Sequence, residues 1–139
     1  MNNDIQPDET QGMNRRQFLA LAGTVVTAGC TAVSTSQEMR AVDTGPAAAY
    51  AGEGVYNNFR DQGFFLVRRD GKLSALSSYC THRKCKLDAE PDRSFYCHCH
   101  GSTFDPSGRV TEGPATRNLP ELSTATDARG HLIVTVPAV

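Results

Sequence analysis

The chain has 139 residues, 39% of them hydrophobic, and 14 Lys and Arg against 15 Asp and Glu leave a net charge of −1. That length holds one domain of ordinary size, and the composition excludes a mostly disordered chain and a polytopic membrane protein. With no basic excess to neutralise a phosphate backbone, no nucleic-acid partner is expected.

In chain order, the first segment reads as an address. Between Arg16 and Glu38 no residue is charged, and the apolar stretch from Phe18 to Ala28 is too short for a spanning helix, which needs about 20 residues. A short apolar core behind a basic flank suits an export signal, and Arg15-Arg16 followed by Phe18-Leu19 resembles a bacterial twin-arginine signal. Thr27-Ala28-Gly29-Cys30 resembles a lipobox, with Thr27 where lipoproteins usually carry Leu. Lipidation at Cys30, cleavage nearby and an uncleaved anchor are all open readings. Lipidation would explain the lone cysteine, since a free thiol is a liability in an oxidising compartment. Residues 1–30 are therefore assigned to a signal or anchor. Residues 31–54, rich in Ser, Thr, Ala and Gly, are expected to be a flexible tether, because they offer little apolar surface to offset ordering entropy. The packed domain is expected over 55–139.

Within that domain the pattern is all-β. Val55 to Phe59 suits a strand or one helical turn. Phe64-Phe65-Leu66-Val67, the turn signal Asp70-Gly71 and the alternating Lys72 to Ser77 predict a hairpin. Phe95-Tyr96, Ser102 to Phe104 and Arg109-Val110 predict short strands, with a turn at Pro106-Ser107-Gly108. Leu132 to Val136 predicts a terminal strand paired with Leu122 to Asp127. No helical stripe follows Val55.

Two Cys/His boxes carry the chemistry. The first is Cys80-Thr81-His82-Arg83-Lys84-Cys85 and the second is Cys97-His98-Cys99-His100-Gly101-Ser102. Thiols and imidazoles so concentrated are metal ligands by type. A structural zinc site usually presents chelating pairs two to four residues apart, and a zinc-binding module is the competing class of reading.

The pattern C-x-H-x2-C followed by C-x-C-H-G-S strongly resembles the Rieske iron–sulfur proteins, and Gly113-Pro114-Ala115 with Leu119-Pro120 resembles their proline loop. The resemblance covers roughly Val55 to Val139. It implies a fold of small antiparallel sheets with a two-loop cluster-binding subdomain. It implies that Cys80, His82, Cys97 and His100 ligate one [2Fe–2S] cluster, thiolates on one iron and imidazoles on the other. It also implies a disulfide between Cys85 and Cys99, and a Ser102 hydroxyl bonded to a bridging sulfide. His98 is then a non-ligand and His131 a surface residue. Two ferric ions, two sulfides and two thiolates sum to zero charge, so neutral imidazoles make electron uptake easier than four thiolates would. Each bound ring keeps a second nitrogen whose proton couples to that electron. A disulfide needs an oxidising compartment, which agrees with export.

The sequence departs from the quinol-oxidising members at Arg83 and Lys84, where they often carry Leu and Gly, and at Phe104, where high-potential members often carry Tyr. The first change replaces an apolar tip with charge, which counts against direct quinol oxidation; the second removes a hydroxyl donor, so a potential below that of the high-potential members is expected. The implied function is electron transfer on the outer face of a bacterial membrane, by a subunit of or carrier for a respiratory oxidoreductase rather than a stand-alone catalyst. Its partner would be a cytochrome or molybdenum-enzyme subunit, and quinol is a further candidate. The alternative is the iron–sulfur subunit of a quinol–cytochrome c oxidoreductase. A Rieske oxygenase needs a second iron site, for which only His98 and His131 would remain.

Overall fold

The computed structural model describes residues 37–138, so the signal, its Arg15-Arg16 pair and Cys30 lie outside the described residues. The strands are β1 (Met39–Pro46), β2 (Gly54–Tyr56), β3 (Phe64–Arg69), β4 (Lys72–Ser77), β5 (Asp88–Ala89), β6 (Phe95–Tyr96), β7 (Thr103–Phe104), β8 (Val110–Glu112), β9 (Glu121–Leu122), β10 (Thr124–Thr126) and β11 (His131–Pro137). They form three antiparallel sheets, ordered β1-β11-β10, β2-β3-β4-β9 and β5-β6-β7-β8. Single 3-10 turns stand at Ala47–Tyr50 and Arg60–Gln62. Among the described residues no helix is long and apolar enough to cross a membrane.

The predicted hairpin is the centre of the domain. Side chains alternate across a strand, so Phe64 and Leu66 enter one apolar core with Val42, Ala75, Leu132, Val134 and Val136. Phe65 and Val67 enter the other, with Leu76, Leu87, Phe95, Phe104, Ala115, Leu119 and the two cysteines Cys80 and Cys97. A strand covered on both faces reads as a continuous apolar run, which is why the sequence shows four large residues together here. The middle sheet thus has the β1-β11-β10 sheet on one side and the box-bearing β5-β8 sheet on the other.

The tether expected over 31–54 is corrected by β1. Met39 to Asp43 pair with Ile133 to Pro137, and Pro46 with His131 beyond a bulge. Only Val42 and Thr44 of this strand are buried, and Thr44 satisfies its hydroxyl by donating to the Leu132 carbonyl at 2.9 Å. Two inward side chains suffice because β11 supplies the other wall, and a composition window has no way to register that. The terminal strand pairs with Thr124–Thr126 as expected, whereas Glu121–Leu122 pairs with β4 instead.

Candidate metal centre

Both boxes are six-residue loops closed in the same way. The pairing of Tyr79 with Lys86 closes the first, and that of Tyr96 with Thr103 closes the second. In the first, Cys80 N–H donates to Cys85 O at 2.8 Å and Lys84 N–H to Cys80 O at 2.9 Å. In the second, Cys97 N–H donates to Ser102 O and Gly101 N–H to Cys97 O, both at 2.9 Å. The pattern demands a left-handed residue at the fifth position, and Lys84 (φ 61°) and Gly101 (φ 78°) supply it. Lys84 carries a conformation that costs a side-chain-bearing residue about 1–2 kcal/mol.

The closed loops drive Cys80 and Cys97 inward, each 1% exposed, as free thiols. Burial pushes the Cys97 thiol up, and the adjacent Cys80 sulfur adds to that, while the backbone N–H groups of Cys99 and His100 pull the other way. Buried, neighbouring sulfurs with amide donors aimed at one of them make a site that accepts anionic charge only beside a compensating cation.

At the loop ends the His82 and His100 rings stand edge to face, centroids 4.8 Å apart. Nδ1 of His82 is buried and has no hydrogen-bond partner. A buried polar atom without a partner is rare in a native protein, and an imidazole nitrogen left so is free to bind a metal. Two free thiols together and two rings together make a donor set that fits a two-iron group, thiolates to one metal and nitrogens to the other.

Cys85 and Cys99 form a disulfide that ties the loops together. Their sulfurs and that of Cys97 lie within 4.8 Å of one another, but with two of them bonded the trio is a cross-link beside a free thiol, not a ligand set.

The segment from Gly113 to Pro120 backs both loops. An ideal Cβ on Gly113 (φ 90°) would lie 2.5 Å from Ser102 Cα and 2.8 Å from Gly101 O, so this chain rests directly on the second box. Ala115 N–H donates to the buried Ser102 Oγ at 3.1 Å, and Thr81 Oγ1 donates to Arg117 O at 2.6 Å. Ser102 is thereby used as an acceptor, and its own proton is left for another bond.

His98 is turned away from this set: it is exposed, packs edge to face on Tyr96, and its Nε2 lies 3.0 Å from Asp88. Asp88 also takes Arg60 Nη2 at 2.7 Å, and Arg60 Nε donates to Leu87 O at 2.6 Å. Sequence reasoning missed Arg60, Asp88, Thr81 and Arg117 as supports. The signal available was the equal length of the boxes: aligned, they set Lys84 opposite Gly101. His131 is half-buried in a salt-bridge group with Asp43, Asp127 and Arg129, at the far sheet.

The family profile "Rieske [2Fe-2S] domain" matches residues 33–123. Among curated proteins, cytochrome b6-f complex iron-sulfur subunit 2 of Trichormus variabilis is 40% identical over 75 residues, covering 52% of this chain and 38% of that protein. A Haloferax mediterranei protein, provisionally named respiratory nitrate reductase subunit Rieske, is 39% identical over 64 residues, covering 45% and 29%. The alignments therefore span well under half the length of these relatives. The crystal structure of the plasma membrane Rieske protein of Synechocystis matches 67% of this chain and 97% of its own, with 29% identity and a TM-score of 0.49.

Proposed function

The chain belongs to the Rieske [2Fe–2S] domain family and carries one such cluster, and from that premise we propose that Cys80, His82, Cys97 and His100 hold it in an exported, membrane-tethered electron carrier. The observation that carries the ligand assignment is the buried, partnerless Nδ1 of His82 beside the His100 ring. When bound, the cluster supplies reversible one-electron transfer. Cys80 and Cys97 bring the two anionic sulfurs, which their burial makes unfavourable without a cation. His82 and His100 bring neutral nitrogens, and the second nitrogen of each ring holds the proton that accompanies the electron. The Ser102 hydroxyl, already accepting from Ala115, would have its proton free to donate to a bound cluster.

Export rests on Arg15-Arg16 and the apolar core behind them, and is supported by the disulfide. Tethering rests on Cys30 or on an uncleaved signal. A protein partner within a respiratory oxidoreductase is favoured over direct quinol oxidation, because Arg83 and Lys84 are both exposed beside His82. The test is iron content and electron paramagnetic resonance of the reduced full-length protein. Two irons per chain with a [2Fe–2S] signal are expected, with His82→Ala abolishing the nitrogen coupling from one ring. Full iron and unchanged nitrogen coupling in His82→Ala would remove His82 from the ligand set. Fractionation tests export, since Arg15→Lys with Arg16→Lys should leave the protein in the cytoplasm.

A further inference from the structure

Three exposed cations stand on the first box and on the loop that supports it. Arg83 and Lys84 follow His82 in the first box, and Arg117 stands on the supporting loop, all three exposed. Elsewhere Arg60, Arg69, Lys72, Lys86 and Arg129 each reach a carboxylate, and Arg40 and Arg68 bond main-chain carbonyls, while Arg93 and Arg109 stand singly. Among the described residues Arg83, Lys84 and Arg117 reach none. The chain as a whole is slightly acidic, at −1, so this concentration is local and does not follow from overall composition.

Hydrogen bonds fix the main chain from which two of these side chains project. Lys84 N–H donates to Cys80 O, and the Arg117 carbonyl accepts from Thr81 Oγ1. Between them lies a cleft of about 220 Å³ lined by Thr81, Lys84, Arg117, Asn118 and Pro120. Its lining includes two cationic residues and one neutral amide residue. That chemistry receives one carboxylate, which Arg binds with a planar fork and Lys as a point charge.

We propose that this face docks an acidic redox protein, one carboxylate of which enters the cleft between Lys84 and Arg117. The inference rests on the assignment of the adjacent histidines to the cluster. Of the two anionic partners that such a face could meet, a protein is favoured over a lipid surface. Three cations are fewer than the four to eight of lipid-binding basic clusters, and a recessed cleft fits a projecting side chain better than a plane of headgroups. Docking is non-covalent, so binding rather than turnover is the quantity to read.

The experiment titrates the cluster-loaded full-length protein by calorimetry, with both proteins oxidised so that no electron passes. The probes are an acidic blue-copper protein, a basic c-type cytochrome, and phosphatidylglycerol or phosphatidylcholine vesicles. Expected is binding to the copper protein that weakens at least about tenfold between about 0.01 and 0.1 M salt, as the screening length falls from about 30 to 10 Å. Lys84→Gln with Arg117→Gln should weaken it by at least about tenfold at low salt. Arg93→Gln, on the loop at the opposite end of the β5–β6 hairpin, should leave it within about twofold. Preference for the basic cytochrome would overturn the proposal. So would binding to phosphatidylglycerol vesicles in place of the copper protein, or an equal loss in Arg93→Gln. The resonance signal of the reduced protein separates the two failures: a wild type with an intact signal and no acidic partner loses only the docking face. A wild type without the signal loses the cluster assignment and the docking face with it.

Discussion

Replacing Gly113 by Ala tests how closely the supporting loop rests on the second box. The added Cβ would sit 2.5 Å from Ser102 Cα, 2.7 Å from Ser102 N and 2.8 Å from Gly101 O. All three are backbone atoms, so no side-chain rotation relieves the clash and the loop must lift. Gly130 is the matched control, since its φ is 78° and its Cβ would meet nothing within 4 Å. Each substitution places Ala in the left-handed region, at a cost of about 1 kcal/mol. Gly113→Ala adds overpacking of about 1–3 kcal/mol. Lifting the loop also breaks the bond from Ala115 N–H to the buried Ser102, a further ~1 kcal/mol. The expectation is a loss of about 3–5 kcal/mol for Gly113→Ala against ~1 kcal/mol for Gly130→Ala, in a domain whose whole stability is of order 5–15 kcal/mol. Urea unfolding followed by far-ultraviolet dichroism gives both losses, and visible absorbance in the presence of a chelator reads release of the cluster. Gly113→Ala should release it at much lower urea. Equal losses in the two variants would refute the tight seating of this loop.

Three further outcomes follow from other positions. Phe104→Tyr restores a hydroxyl within the core that holds Cys80 and Cys97; one hydrogen bond to a ligand sulfur, about 0.5–1.5 kcal/mol, corresponds to a rise of about 20–65 mV at 59 mV per tenfold for one electron. Film voltammetry reads it, and an unchanged potential with an intact signal would place the hydroxyl elsewhere. Lys84→Gly removes a side chain from φ 61° and should stabilise the domain by about 1 kcal/mol in urea unfolding; a loss of stability would show that the lysine stem packs usefully. Asp127 is held at about 2, chiefly by the backbone N–H of His131 and then by the Arg129 side chain. A folded-state value below the unfolded one means its stabilisation is complete above the unfolded value, near 4. It is lost as pH falls through about 2. The urea midpoints of wild type and Asp127→Asn should therefore differ at neutral pH and converge across that window, and a difference independent of pH would contradict the assignment.

How much of this was legible in the sequence depends on whether a residue acts through its neighbours in the chain or through remote ones. The apolar run at Phe64 to Val67 announced the central hairpin because burial on both faces leaves a mark in consecutive residues. The boxes announced the donor types because ligand chemistry is carried by residue identity. β1 stayed hidden because its two buried residues are recruited by β11, some 90 positions later, through pairings such as Val42 with Val134. The supports of the boxes were hidden for the same reason. Arg60 reaches Leu87 and Asp88 with its guanidinium, and Thr81 reaches a main-chain carbonyl at Arg117. None of these partners shares a spacing or a motif. Lys84 is the intermediate case, since its unusual backbone could have been inferred by laying one box on the other.

The two boxes share one backbone pattern yet are tied down by different residues, and this has a consequence for the ligands. The second box is backed by Gly113 and by the bond of Ala115 to Ser102. The first is tied by Thr81 through Arg117, and the strand that follows it is held by Arg60 through Leu87 and Asp88. The Cys85–Cys99 disulfide joins them across the mouth. Electron transfer without large rearrangement requires that the ligand atoms keep their places in both oxidation states. A loop fixed at one point could pivot about it, whereas a loop tied at several separate points resists that rotation. Loss of any single tie should therefore lower stability before it displaces a ligand, and loss of two ties on the same loop should do more than the sum, because the remaining contacts then share a common axis.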